Sequence, residues 1–123
     1  MRNRGDILKA TKRGKKAGKH FIVYYEGQDD LHFIGGMVTH LDDALNVPMK
    51  ALHFLTHDNI TGIDYEIKYD DSYLVKAKLM KFESWGPFTK VGQLSSEGIE
   101  FVEKTIGALS SETWEEYLER TGK

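Results

Sequence analysis

His20 is the residue of this sequence best suited to moving a proton. An imidazole titrates near ~6.5, so it can accept or donate at neutral pH. It stands at the end of a run of positive charge. Arg2, Arg4, Lys9, Lys12, Arg13, Lys15, Lys16 and Lys19 make up eight of the 17 Lys and Arg in the chain, against one acid, Asp6, in the same stretch. Directly after His20 comes the apolar run Phe21, Ile22, Val23, Tyr24 and Tyr25. A cationic segment that ends on a strand, with a titratable group at the junction, suits a polyanion such as RNA. It equally suits a plain solvated loop. The formal net charge of −2 hides this arm, because Glu97, Glu100, Glu103, Glu112, Glu115, Glu116 and Glu119 crowd the other end. The two ends can partly neutralise each other.

Metal-free cleavage of RNA needs a base for the ribose 2′-OH, an acid for the leaving 5′-oxygen and a cation for the charge on phosphorus. His20 fits the acid or base role, and Lys19 fits the charge-stabilising role. No thiol chemistry is open to a chain with no cysteine. His53 and His57 stand four apart with Asp58 following, which on a helix would put two imidazoles on one face. The Glu that completes a zinc-hydrolase motif is missing, so no metal and no cofactor are expected. Gly35 and Gly36 are not followed by the Lys-Ser/Thr of a phosphate loop. Tyr24, Tyr25, Phe33 and Trp85 are candidates for stacking on bases. Most are expected in the core, with Trp85, in a turn, the most exposed. His32 is expected to be exposed on a strand.

The elements that must position these residues can be read from periodicity and turns. Residues 5–10 read as a first strand and 11–19 as a basic loop with Gly14 and Gly18. Residues 19–26 form a strand with little alternation, expected to be buried on both faces. Residues 31–40 form its hairpin partner, with Gly35 and Gly36 marking a bulge or bend. Residues 41–49 read as irregular, and 51–56 as strand or helical turn. Residues 63–68 and 73–82 alternate as strands, and 89–94 adds a short one. Ser95 caps an amphipathic helix that runs to Gly107 or beyond. A last helix covers 112–120, capped by Ser110 or Ser111. The pattern predicts one domain over 1–123, mainly β with C-terminal helices, as a small curved barrel under a helical cover. No apolar run reaches the ~20 residues of a membrane span. The N-terminus has no apolar segment of the signal-peptide kind, so cytoplasmic residence is expected.

Three stretches resemble the MazF/PemK family of toxin endoribonucleases. They are Gly5-Asp6-Ile7 before a basic loop, Gly18-Lys19-His20-Phe21-Ile22-Val23 with Gly36-Met37-Val38-Thr39, and residues 74–79 with Val91-Gly92-Gln93-Leu94-Ser95-Ser96-Glu97. The resemblance implies an SH3-like barrel of the MazF/PemK/CcdB type, with five to seven short antiparallel strands and one or two C-terminal helices. It also implies a homodimer, a cognate antitoxin partner and metal-independent cleavage of single-stranded RNA. Thr39 falls at the family's catalytic Thr/Ser and would orient a phosphate oxygen, beside His20 and Lys19. Lys12, Arg13, Lys15, Lys16, His40 and Trp85 would contact RNA. The chain departs from the family at His20 and Phe21, which stand where the family has Arg and Pro, and in the extra helix within 110–123. Two other functions fit the same fold: a non-catalytic module that binds RNA or a protein partner, and a toxin that blocks a topoisomerase.

Overall fold

The computed structural model describes residues 2–10, 21–58, 60–65 and 71–122. The basic loop 11–19, with Lys12, Arg13, Lys15, Lys16 and Lys19, lies outside the described residues, as do His20 and the second half, 66–68, of the strand expected over 63–68. Among the described residues eight strands form one sheet: β1 (Asp6–Ala10), β2 (Phe21–Gly27), β3 (His32–Thr39), β4 (Asn46–Pro48), β5 (Tyr73–Val75), β6 (Lys78–Phe82), β7 (Phe88–Gln93) and β8 (Ser111–Glu112). The helices are α1 (Ser96–Ile106) and α2 (Trp114–Thr121). The main path runs β4-β5-β3-β2-β1-β7, with β6 also on β3 and β8 on β6. Every pairing is antiparallel except β6 with β8. The fold is therefore mainly β with two C-terminal helices, as the pattern predicts. Among the described residues the sheet is not closed, because no ladder joins β4 to β7.

Each face of the sheet carries its own core and its own helix. Ile7, Val23, Ile34, Val38 and Leu74 pack with Val102 and Ile106 of α1. Leu8, Ile22, Phe33, Met37 and Leu79 pack with Tyr117 of α2, joined by Trp114 and Leu118. Successive residues of a strand point to opposite faces. A strand apolar on both faces, such as β2 or β3, is thus what a sheet between two helices requires. Full burial of Tyr117 contributes on the order of 2 kcal/mol at ~25 cal/mol per Å². That burial is what fixes α2 to the sheet.

Three departures from the predicted elements matter for the site. The bulge opposite the Gly35-Gly36 pair falls in β2, where Tyr25 is the extra residue between Tyr24, paired with Gly35, and Glu26, paired with Ile34. The expected strand over 73–82 is two strands, because β5 pairs with the end of β3 while β6 pairs with its beginning. The Ala77 N–H bonds the Val75 carbonyl across the break (2.8 Å). Finally, α2 starts later than expected. Its cap is Thr113, in a reciprocal capping box with Glu116, because Ser111 and Glu112 are drawn into β8.

The opening Gly5-Asp6-Ile7 has a physical reason. Gly5 has a positive φ of 97°, and a Cβ there would sit 2.8 Å from the Ile99 side chain. Asp6 is buried; it accepts from the Asn3 N–H (2.9 Å) and lies 3.3 Å from the Lys90 ammonium. The pair ties β1 to β7.

Candidate functional site

Thr39 ends β3 and lies on the same face as Met37 and Phe33. It is only 6% exposed, yet it lines a cavity of about 220 Å³ formed with Met37, Leu41, Asp43, Asn46, Val75, Trp114 and Tyr117. Burial separates floor from mouth. Met37, Val75 and Tyr117 are buried, whereas Leu41 is 61% exposed. Trp114 and Tyr117, one helical turn apart on α2, stack with ring centres 5.1 Å apart and 22° between planes. They form an aromatic wall against the ends of β3, β4 and β5.

The polar atoms of this pocket are mostly committed. The Leu41 N–H donates to Thr39 Oγ1 (3.2 Å), which leaves the hydroxyl proton for another acceptor. The Leu45 N–H donates to Asp43 Oδ1 (2.9 Å). Asn46 Nδ2 donates to the Leu41 carbonyl (3.0 Å). A carbonyl can only accept, so the amide nitrogen must face it and the orientation of the Asn46 amide is fixed. Asn46 Oδ1 is then a buried acceptor with no hydrogen-bond partner. Such an atom costs roughly 1–3 kcal/mol.

The other expected site residues separate. His40 points away from the pocket; it is exposed, with Nδ1 3.3 Å from the Asp71 carbonyl. Trp85 does not line the pocket. It ends a short 3₁₀ turn and is half-buried against Phe82, with the Lys81 ammonium 5.8 Å from its ring. Tyr24 and Phe33 stack on each other in the sheet. His53 and His57 are not paired as ligands. His53 Nδ1 accepts from the Lys50 N–H (2.9 Å) and its ring stacks on Phe101. Burial and the nearby Lys50 push its pKa down, so His53 is a neutral structural residue. Among the described residues no three His, Asp or Glu come together as metal ligands.

His57 belongs instead to a second polar group, beside a cavity of about 420 Å³ lined by Asp58, Thr61, Ile63, Asp64, Tyr65, Lys90 and Val91. Its Nδ1 lies 2.6 Å from Asp64 Oδ1. Tyr65 donates to Asp58 Oδ2 (3.0 Å). The N–H groups of Ile60 and Thr61 hold the Asp58 pKa down, with Tyr65 and Lys90 adding to the effect. Burial, then the Asp58 hydrogen bond, raises that of Tyr65. For Lys90, desolvation is outweighed by the Asp6 carboxylate, and its pKa rises. His57 and Asp64 are both well exposed, and an ion pair in water is worth little. The arrangement orders a surface loop.

Lys81 is the one strongly perturbed cation among the described residues. It points from β6 into the α2 face and is only 6% exposed. Burial lowers its pKa to about 8, with Glu115 of α2 pulling the other way.

Asn46, Trp114 and Lys81 are the residues that sequence reasoning missed here. Asn46 sits in a stretch that reads as irregular, and Trp114 reads as one face of a terminal helix. Only the packing of α2 over β3 to β5 brings them to Thr39. Comparison with protein-family models, with curated proteins and with solved structures finds no match for this chain.

Proposed function

We propose that the chain acts on single-stranded RNA as a toxin-type, metal-independent endoribonuclease of the MazF/PemK kind. The observation that carries this reading is the setting of Thr39. It lines a pocket with an aromatic wall, and its neighbour Val38 pairs with Phe21, the first residue of β2. The basic run of the sequence ends one residue before Phe21. In this reading Lys12, Arg13, Lys15 and Lys16 hold the phosphate backbone and Trp114 supports a base. His20 takes the proton from the 2′-OH. The freed oxygen attacks phosphorus, the bond to the 5′-oxygen breaks, and that oxygen leaves with the proton returned by the His20 imidazolium. The products are a cyclic phosphate end and a 5′-hydroxyl. Lys19 offsets the charge on the phosphoryl oxygens, and the Thr39 hydroxyl donates to one of them. A cognate antitoxin and a homodimer belong to the same reading.

The burial of Thr39 favours a second reading, a barrel-like module that binds RNA without cutting it. One set of assays separates the two. Purified parent, His20→Ala and Thr39→Ala chains are incubated with single-stranded RNA without metal, and each is expressed to score growth. The nuclease reading expects cleavage and arrest by the parent and loss of both in the variants. Variants that cleave as well as the parent would sink it. RNA that is bound with a steep salt dependence but left intact supports the binding module.

A further inference from the structure

We propose that Lys81 is a covalent docking site for small neutral aldehydes, its amine condensing with the carbonyl to a Schiff base between β6 and α2, beside Trp85. The site is independent of the RNA reading above and uses none of the residues that reading assigns to cleavage. It begins with a lysine set in an apolar phase. Side chains of a strand alternate between faces, so Lys81 shares the α2 face with Leu79 and pairs across the ladder with Phe33, both part of that face's core. The residue is only 6% exposed. Among the described residues its ammonium makes no hydrogen bond and no ion pair. It stands 5.8 Å from the centre of the Trp85 ring, and Glu115 of α2 is the charge that acts on it. The other charged groups nearby are committed. Glu83, two residues along, pairs with Arg2 (2.7 Å), and His32 on β3 pairs with Asp29 (2.8 Å). Lys81 Nζ is still reachable. Side-chain atoms sealed from solvent without a partner include Asn46 Oδ1 and Ser72 Oγ, and Lys81 Nζ is not one of them.

An ammonium in this setting has lost water without gaining an acceptor, which favours the neutral amine. Its lowered pKa of about 8 leaves about one-tenth of Lys81 as the free nucleophile at pH 7, against ~0.0003 of an ordinary lysine. In the reaction the Nζ lone pair bonds to the carbonyl carbon. Both amine hydrogens leave with the carbonyl oxygen as water, and a C=N bond remains, with no oxidation or reduction. Charge selects the partner. Glu115 and Glu116 occupy the first turn of α2, so an acyl phosphate or an oxo-acid is repelled. Carbon dioxide would leave a carbamate anion beside Glu115, a buried charge with no counter-ion. A small aldehyde brings no charge, and its Schiff base replaces a cation whose burial destabilises the fold.

The test incubates the full chain with propanal and cyanoborohydride, which reduces the Schiff base to a stable propyl-lysine. Peptide mapping by mass spectrometry then gives the labelling rate of each lysine from pH 6 to 10. Lys76, exposed just before β6, is the internal reference. At pH 7 Lys81 is expected to label about ten-fold or more faster than Lys76, its excess of free amine outweighing its lower basicity and restricted access. The ratio of the two rates should fall as the pH rises above 8, where Lys81 is already neutral. Glu115→Gln removes the charge that favours the ammonium, so Lys81 should label faster at pH 7 with Lys76 unchanged. Glyoxylate, an anionic aldehyde, should show no preference for Lys81. In urea the preference for propanal should vanish, which ties it to the fold. Folded Lys81 that labels no faster than Lys76 at pH 7 overturns the site, and so does a ratio that does not fall with pH. A preference for Lys81 that persists in urea overturns the role of burial. Glyoxylate as selective for Lys81 as propanal overturns the restriction to neutral aldehydes.

Discussion

Replacing Lys81 by Met should stabilise this protein at neutral pH, and the size of the gain follows from the burial of the ammonium. Desolvation moves its pKa from 10.5 to about 8. At ~1.36 kcal/mol per tenfold change in proton affinity, the charged form costs the fold about 3 kcal/mol at any pH below 8. Contact with the Trp85 ring returns up to ~1 kcal/mol. Met keeps the length and apolar stem, so Lys81→Met should gain on the order of 2 kcal/mol at pH 7. With a urea m-value of ~1–3 kcal/mol/M, the midpoint should rise by about 1 M. The sign of the pH dependence is fixed too. Between pH 8 and 10.5 the unfolded chain holds the Lys81 proton and the folded chain does not, so parental stability climbs with pH across that window. Lys81→Met lacks this climb, and the two chains converge above pH 10.5. Tyr25 and Tyr65, whose pKa values are also raised, are common to both chains and cancel in the difference. The measurement is urea unfolding of both chains from pH 7 to 11. A Lys81→Met chain that is less stable at pH 7, with the parental pH slope, would refute the reasoning.

Two further substitutions test the frame around the site. Gly98→Ala places a Cβ 2.1 Å from the His53 carbonyl oxygen. Ala normally favours a helix over Gly by ~1 kcal/mol, but overpacking of ~1–3 kcal/mol against rigid backbone should win, and the denaturation midpoint should fall. Thr113→Ala removes the hydroxyl that accepts from the Glu116 N–H and opens the capping box of α2. The expected loss is ~1 kcal/mol, read by chemical denaturation, with Trp114 fluorescence reporting the loosening of the pocket wall.

Much of the fold was legible because strand periodicity and turns are local signals. The continuous apolar run of β2 read as a strand buried on both faces and β3 as its apolar hairpin partner, and two helices, one on each face, account for them. Ser95 read as a cap, and its hydroxyl does accept from the Gly98 N–H (3.1 Å). Boundaries failed where a partner strand decided them. Nothing within 73–82 announces that β3 will pair with its two halves separately. Nothing in Ser111-Glu112 announces a parallel ladder to Lys78 and Leu79, which displaced the α2 cap to Thr113. His53 misled for a related reason. Its spacing from His57 has meaning only on a continuous helix, and the helix is a single 3₁₀ turn that ends at His53.

The site was legible only where its residues were neighbours in sequence. Thr39 drew notice through the resemblance, which sets it at the family's catalytic Thr/Ser, and the structure gives it a cavity. The residues that give that cavity its chemistry come from 41–49 and from α2, separated from Thr39 by a chain distance that no spacing rule bridges. Asn46 shows why. Its meaning lies in one oxygen atom, and that atom is without a partner only because the Leu41 carbonyl has claimed the amide nitrogen. An asparagine in an irregular stretch reads as a turn residue, and only the packing of α2 turns it into a buried acceptor. The extra helix is therefore not an ornament on the barrel-like sheet. It covers the α2-side core, it buries Tyr117, and it supplies the aromatic wall against which Thr39 and Asn46 face a common space. If α2 is loosened by Thr113→Ala, the order of the pocket wall and the stability of the fold should fall together, since one element serves both.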